Sequence, residues 1–292
     1  MKLNIENTTI RLPGLKREYH FYHITDAHIT HAGADDSEAE KMMMENDITK
    51  FTSDPRFVMP QDAWKALMEH IKEDPDTDAL MITGDMFSFF NLNTHRMICN
   101  MLAECPVEIL YTPGNHEFCN PVDVAHTPTL QALVNPTDPD LDIHTVYHKF
   151  YDSFMGGDAD FWVRDYEEFL VVGLNNEDHD ITPSQMERFK EQAARNLPIL
   201  LMMHVGVRSE EYIEVIKANW VGLNMYFLFE NNDSPMNKAF SDFIRSPESN
   251  VAAIIAGHVH AAHAGEYAPE KMQYIAAPLY EKYVRKISVV PC

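Results

Sequence analysis

The stretch "VEILYTPGNHE", residues 107–117, runs from an apolar segment through one Pro-Gly step into an amide, an imidazole and a carboxylate, Asn115, His116 and Glu117. A short apolar run rich in β-branched and aromatic residues reads as a buried strand rather than a helix. Four more such runs punctuate the chain: "YHFYHIT" (19–25), "ALMIT" (79–83), "PILLMM" (198–203) and "VAAIIA" (251–256). Metal-ligating residue types follow each of them at once. Asp26 and His28 follow the run ending at Thr25, Gly84-Asp85 the one ending at Thr83, and Gly114-Asn115-His116-Glu117 the one ending at Thr112. His204 follows Met203, and Gly257-His258-Val259-His260 follows Ala256. A single Gly-Asp is usually a turn, and "GNHE" alone can be a tight turn whose glycine supplies a positive φ. Five in order, each behind a strand pattern, point to one pocket, because open α/β sheets bind ligands beyond the carboxyl ends of their strands.

Helical patterns fill the spaces between the runs. Trp64, Leu67, Met68 and Ile71 fall at i, i+3, i+4 and i+7 and give one helix an apolar stripe. In "TPSQMERFKEQAARN" (182–196), Thr182 is placed as an N-cap, Pro183 at the first helical position, and Gln185 completes a capping box; "SEAE" (37–40) is a second candidate box. Strands alternating with helices give an α/β fold with layered packing. The C-terminal segments "HAGEY", "MQYIAA" and "YVRKISVV" read as strands that add a second sheet edge. The chain shows no internal repeat, and α/β folds of this length often form one unit. We therefore expect a single domain over 1–292, with insertions or lids at about 31–60, acidic and Met-rich, and at about 206–250.

Apolar and aromatic residues at 45% and charged residues at 23% are ordinary for a globular chain, so neither disorder nor a fibre is expected. A formal net charge of −22 repels polyanions, which disfavours nucleic acid as a partner and leaves small anionic substrates. Cys99, Cys105, Cys119 and Cys292 show no CxxC spacing, as expected of reduced thiols. There is no signal-like apolar segment near the N-terminus and no apolar run long enough to span a bilayer, so a cytoplasmic protein without a membrane partner is expected.

The spacing of the candidate ligands has a physical reading. In an extended segment residues i and i+2 face the same side, roughly 6.6 Å apart, so Asp26/His28 and His258/His260 each aim two donors into one pocket. A carboxylate such as Asp85 can bridge two ions. Ions held about 3.5–4 Å apart polarise a phosphoryl oxygen and bring the pKa of a shared water down toward about 7. Nitrogen and oxygen donors without thiolate suit two divalent transition metal ions drawn from Mn, Fe, Zn and Ni.

Together "DAH", "GD", "GNHE", "MMH" and "GHVH" resemble the pattern of the calcineurin-like metallophosphoesterases, D-x-H, G-D, G-N-H-[D/E], H and G-H-x-H, over residues 26–260. The resemblance implies the calcineurin-like phosphoesterase fold, two packed mixed β-sheets flanked by helices, and metal-dependent hydrolysis of small phosphoesters, diesters or monoesters, in a dinuclear site. It implies that Asp26, His28, Asp85 and His260 hold one metal and that Asp85, Asn115, His204 and His258 hold the other, with Asp85 bridging. A metal-bridging hydroxide would then attack phosphorus in line. His116, not a ligand, would stabilise the phosphoryl oxygens or protonate the leaving oxygen, which makes Asp85 and His116 the expected catalytic pair. Glu117 would orient His116 or its loop, with a plain surface carboxylate as the alternative.

Departures from subfamilies narrow this reading. The protein Ser/Thr phosphatases with this pattern carry "GDxxDRG" and an Arg soon after GNHE, whereas this chain has "GDMFSFF" and "GNHEFCNP". Purple acid phosphatases place a metal-binding Tyr where this chain has Ser88, and the secreted 5′-nucleotidases, similar in "GNHEF", have a further substrate domain for which the chain has no room. Substrate contacts are expected from Asn115 and from Arg208, four residues beyond His204, although Arg208 can equally pair with Glu210 or Glu211. Phe87, Phe89 and Phe90 read as pocket wall or as core, and Trp220, Tyr226 and Phe227 as a lid or as a local cluster. Among the histidines outside the motif, His31 and His263 have the strongest case for a role, each being three residues from an expected ligand. Three alternatives stay open: a nuclease of the same family, against which the charge weighs, a catalytically silent metal-binding scaffold, against which the complete ligand set weighs, and a metallohydrolase acting on a different bond, which a fold resemblance does not exclude.

Overall fold

Neighbouring residues on the strand Tyr19–Ile24 face opposite ways, Phe21 into a core between two sheets and Tyr22 into a core between sheet and helices. That alternation organises the computed structural model, which describes residues 1–119, 148, 151–152, 157–220 and 234–292. Among them lie eleven strands: β1 Asn4–Leu12, β2 Tyr19–Ile24, β3 Thr77–Thr83, β4 Glu108–Thr112, β5 Phe161–Asp165, β6 Leu170–Leu174, β7 Ile199–Met202, β8 Val251–Ala256, β9 His263–Ala268, β10 Lys271–Ile275 and β11 Tyr283–Pro291. They form two mixed sheets, ordered β1-β11-β2-β3-β4 and β5-β6-β7-β8-β10-β9. The inner faces, Phe21, Met81 and Leu110 on one and Val171, Leu200, Met202 and Ile255 on the other, share one apolar layer.

Helices cover the outer faces. On the first sheet α1 (Glu38–Ser53), α2 (Pro60–Lys72) and α3 (Leu92–Ala103) occur in order, with Trp64, Leu67, Met68 and Ile71 of α2 packed under Tyr22, Ile24, Leu80 and Ile82. Full burial of a side chain such as Leu67 or Ile71 contributes about 1.5–3 kcal/mol relative to exposure. On the second sheet α4 (Pro183–Ala193), α5 (Glu210–Asn219) and α6 (Pro235–Arg245) bring Phe189, Ile213, Ile216, Phe240 and Ile244 against Leu170, Leu201 and Ile254. Both expected capping boxes form, Ser37 with Glu40 and Thr182 with Gln185. The result is the helix, sheet, sheet, helix layering expected of the fold class.

Register in the parallel strands decides where the loops meet. Ile24 lies beside Ile82, and Thr83 beside Thr112, so the segments beginning at Asp26, Gly84 and Pro113 leave the first sheet side by side. Pairing continues past the strand ends: the Asp26 amide donates to the Gly84 carbonyl at 3.0 Å, and His28 to that of Asp85 at 2.9 Å. Likewise Met202 lies beside Ile255, and the Gly257 amide donates to the His204 carbonyl at 2.9 Å.

One expectation about the C-terminal strands is corrected. β9 and β10 do extend the second sheet at its edge, but β11 inserts into the first sheet between β1 and β2, parallel to β1 and antiparallel to β2. Its Val284 is buried in the core under the helices and its Ile287 and Val289 in the core between the sheets, and the fully buried Arg285 reaches Glu6 and Thr8 of β1 at 2.8 Å. The 31–60 segment is largely α1, and α5 and α6 occupy much of 206–250. Tyr226 and Phe227 lie outside the described residues. All four cysteines are free thiols, and among the described residues no helix is long and apolar enough to cross a membrane.

Candidate metal centre

The loops at the strand ends turn by left-handed backbone. Asp26 and His28 both have φ 49°, Asp85 52°, His258 74° and His260 52°. Conformations of this kind cost roughly 1–3 kcal/mol each in non-glycine residues and persist where the surroundings over-determine them. The expectation that Asp26/His28 and His258/His260 converge because their segments are extended is thus overturned. They converge because each turn re-aims its side chains while the residue between, Ala27 or Val259, is fully buried in a core.

The glycines explain the close approach. Gly84, at φ +88°, is left-handed, and a Cβ there would lie 2.5 Å from the Gly114 amide nitrogen and 2.6 Å from His204 Nδ1. The plain tight-turn alternative for "GNHE" would give Gly114 a positive φ, but its φ of −117° and ψ of −178° are extended. What demands glycine there is space, since a Cβ would meet Asp85 Oδ1 at 2.3 Å. After it, the 3-10 turn Asn115–Phe118 sends Glu117 and Phe118 inward and leaves Asn115 and His116 half-buried.

Six residues predicted from the sequence meet at this junction. Donor atoms of Asp26, His28, Asp85 and His260 form one group and those of Asp85, His204 and His258 another, each within 4.8 Å of one another. His28 Nε2 and His260 Nε2 lie 3.0 Å apart, and His260 Nε2 lies 3.1 Å from Asp26 Oδ1. His258 Nδ1 lies 3.0 Å from His204 Nε2, which is 3.4 Å from Asp85 Oδ2. The arrangement fits cations on an independent count, because Asp26 Oδ1 and Asn115 Oδ1 are buried with no hydrogen-bond partner. Nothing in the donor set is soft.

Surrounding groups fix the ligand atoms. The Thr83 carbonyl can only accept, so His204 Nδ1, 2.7 Å away, carries the proton and turns Nε2 inward. The Thr25 hydroxyl, at 2.7 Å, and the His258 amide, at 2.9 Å, both bind Asp26 Oδ2 and leave Oδ1 facing the cluster. Tyr280 Oη lies 3.0 Å from His260 Nδ1. Burial holds His28 and His258 well below the usual imidazole range, in the neutral form that ligates. Burial pushes the Asp85 carboxyl up, but the imidazoles of His204 and His116 outweigh it and hold it well below the usual carboxylate range.

Glu117 is neither a surface carboxylate nor a partner of the His116 ring. It is 1% exposed and accepts from the amides of Asp85 (2.9 Å), Met86 (2.6 Å) and Gly114 (2.7 Å), and from the Tyr111 hydroxyl (2.6 Å). One side chain thereby ties the Gly-Asp loop to the Gly-Asn-His loop. On the other sheet Asn176 does the same for His204: its Oδ1 accepts from the His204 and Val205 amides at 3.1 and 3.0 Å. The sequence carries no signal for Asn176 beyond its place just after the strand β6.

His116 stands beside the cluster. Its amide donates to Asp85 Oδ1 at 2.9 Å, its Nδ1 donates to the Ser88 carbonyl, and its Nε2 faces the site 4.0 Å from Asp85 Oδ2. Burial alone would lower its pKa, but Asp85 and the Ser88 carbonyl raise it overall. Ser88 in turn donates from its hydroxyl to Asp47 of α1 at 2.5 Å.

Other candidates separate. Arg208 is not brought to the cluster: it lines a distinct cavity of about 920 Å³ with Ser209, Glu210, Lys238, Asp242 and Arg245. Phe87, Phe89 and Phe90 are buried, as the core reading had it. The Trp220 ring centroid lies 5.4 Å from that of His260, and its indole donates to the Val259 carbonyl. His31 is exposed, and His263 stacks on Tyr212 in the second sheet's edge region. Sequence reasoning passed over His179, whose ring centroid lies 5.2 Å from that of His258, and Tyr280.

The family model of the calcineurin-like phosphoesterases matches residues 19–262. Among solved structures, a dimetal phosphatase from Danio rerio aligns with 13% identity and a TM-score of 0.50 over 91% of this chain and 89% of its own. A purple acid phosphatase from yellow lupin (Lupinus luteus) seeds aligns with 13% identity and a TM-score of 0.47 over 91% of this chain and 45% of its own. The 5′-nucleotidase of Candida albicans aligns with 11% identity and a TM-score of 0.44 over 92% and 48%. The chain spans most of the first structure and about half the length of the other two. No curated protein matches it.

Proposed function

Because the chain belongs to the calcineurin-like phosphoesterases, hydrolases of phosphoric esters, we propose that it cleaves small phosphomonoesters or phosphodiesters at a dinuclear metal centre, as one domain. The observation that supports this reading is the sharing of Asp85 between two donor groups made only of nitrogen and oxygen. Asp26, His28, Asp85 and His260 would hold one ion, and Asp85, Asn115, His204 and His258 the other, with Mn, Fe, Zn and Ni all suited to the donors. When bound, such a pair lowers the pKa of water and neutralises charge building on the phosphoryl oxygens.

The protein's own groups supply the rest. His116, held through Nδ1, presents Nε2 to the oxygens of the ester. As imidazolium it gives that proton to the leaving oxygen, which departs as the alcohol. Glu117 keeps the His116 and Asp85 loops in register by binding the amides of both. With a net charge of −22 the surface repels long polyanions, which favours a small ester.

The test is a screen of phosphomonoesters, phosphodiesters, cyclic nucleotides and pyrophosphates with protein loaded with Mn²⁺, Zn²⁺ or Ni²⁺. We expect turnover by the wild type, and a loss of about 10²–10⁴-fold in His116→Ala. Wild-type rates in both Asp85→Asn and His116→Ala would overturn the mechanism. Fewer than one transition metal per chain after reconstitution would favour a scaffold.

A further inference from the structure

One turn of α1 touches two residues, Ser88 and Tyr280, that themselves contact side chains of the metal centre. Asp47 binds the Ser88 hydroxyl, whose own carbonyl holds His116, and Phe51, 2% exposed, packs its ring 5.1 Å from that of Tyr280. Lys50 sits between them in sequence. Its ammonium lies 5.0 Å from the Tyr280 ring centroid and 5.5 Å from that of Phe51. The Tyr280 ring lies 6.0 Å from both His28 and His260, and its hydroxyl touches the latter.

The Lys50 ammonium makes no ion pair or hydrogen bond among the described residues and rests on the two aromatic faces alone. The next cation along, Arg56, is fully engaged, donating to both carboxylate oxygens of Asp54 at 3.1 and 2.6 Å. Arg208, the cation expected from the sequence, lines the other cavity.

We propose that Lys50 is the substrate's cationic contact, an ammonium parked on Tyr280 and Phe51 that pairs with a non-bridging phosphate oxygen lying over the metal centre. The inference rests on the phosphoesterase reading above and assigns its specificity. Aromatic faces hold a cation weakly without neutralising it, and a flexible four-carbon stem lets the ammonium follow an arriving anion. A loaded centre is itself cationic, so Lys50 approaches it only when an anion lies between. Contact through a point charge favours the dianionic head of a monoester over the single charge of a diester.

Orthophosphate binding tests this without turnover. Calorimetry is run on metal-reconstituted wild type, Lys50→Met and Lys50→Arg, with metal content and Tm measured for each; Lys50 is solvent-facing, and Lys50→Gln serves if Lys50→Met folds poorly. We expect Lys50→Met to weaken orthophosphate about tenfold, as loss of one charge-assisted contact predicts, with Lys50→Arg close to wild type and metal content unchanged. KM should rise more for p-nitrophenyl phosphate than for bis(p-nitrophenyl) phosphate. Orthophosphate binding within twofold of wild type in Lys50→Met overturns the role of Lys50 alone. Wild-type protein that takes up two metals but neither binds orthophosphate nor cleaves any ester overturns the phosphoesterase reading and this inference with it.

Discussion

Glu117 and Asn176 brace opposite halves of one centre, and they do it with different chemistry. The first half, carried by β2, β3 and β4, presents the carboxylates of Asp26 and Asp85; the second, carried by β7 and β8, presents imidazoles only. Three amides converge on the first clamp and two on the second. A carboxylate can take three amides and a hydroxyl, whereas an amide oxygen suffices for two. The stronger acceptor comes at an electrostatic cost. Burial and the neighbouring Asp85 raise Glu117 to about 7, against the pull of its donors. A centre that gathers negative charge in one half is completed by cations, and that half is where their loss should be felt first.

Glu117→Ala tests the contrast most severely. It strands the three buried amides of Asp85, Met86 and Gly114, and at about 1–3 kcal/mol for each unsatisfied group the loss should be at least about 3 kcal/mol. Urea unfolding of chelator-treated protein measures it. Gly84→Ala comes next: the left-handed φ and a Cβ 2.5 Å from the Gly114 amide both oppose the side chain, for about 3 kcal/mol. Asn176→Ala strands the two buried amides of His204 and Val205, and about 2 kcal/mol is expected. A cost for Asn176→Ala equal to that of Glu117→Ala would show that the charge of the clamp adds nothing.

These clamps also mark where the sequence stopped being readable. The strands are legible because their runs are buried on both faces, and the six residues that gather at the strand ends because each follows such a run. Glu117 was visible but ambiguous, since nothing in "GNHE" says whether its last residue faces inward; that is decided by the 3-10 turn and the register of β3 against β4. Asn176 and Tyr280 were illegible, being set against the cluster by pairing between distant strands and by β11 entering the first sheet. The ligand spacing gave the right pairs for the wrong reason, because left-handed φ values at Asp26, His28, His258 and His260 leave no trace in residue identity. Nearness in sequence to His204 points to Arg208, but the chain turns it into another cavity, whereas Lys50, distant in sequence from every donor, is brought beside Tyr280 by a helix.

Tyr280→Phe asks how far bracing reaches into the second half. His204 is fixed by a backbone carbonyl at 2.7 Å, whereas His260, 18% exposed in its side chain, depends on the Tyr280 hydroxyl at 3.0 Å. Removing only that hydroxyl leaves the ring against Phe51, Phe57 and His28, so global stability should change by no more than about 1 kcal/mol. Metal affinity should fall about tenfold, the lower end for loss of a group that orients a ligand, read as competition with a chromogenic chelator. Because the aromatic face that parks Lys50 survives, orthophosphate binding by fully loaded Tyr280→Phe should match the wild type. An unchanged metal affinity would mean that packing against His28 and Trp220 alone orients the His260 ring. A loss of orthophosphate binding at full metal occupancy would instead tie the hydroxyl to the substrate, and the two halves of the centre would then differ in task as well as in bracing.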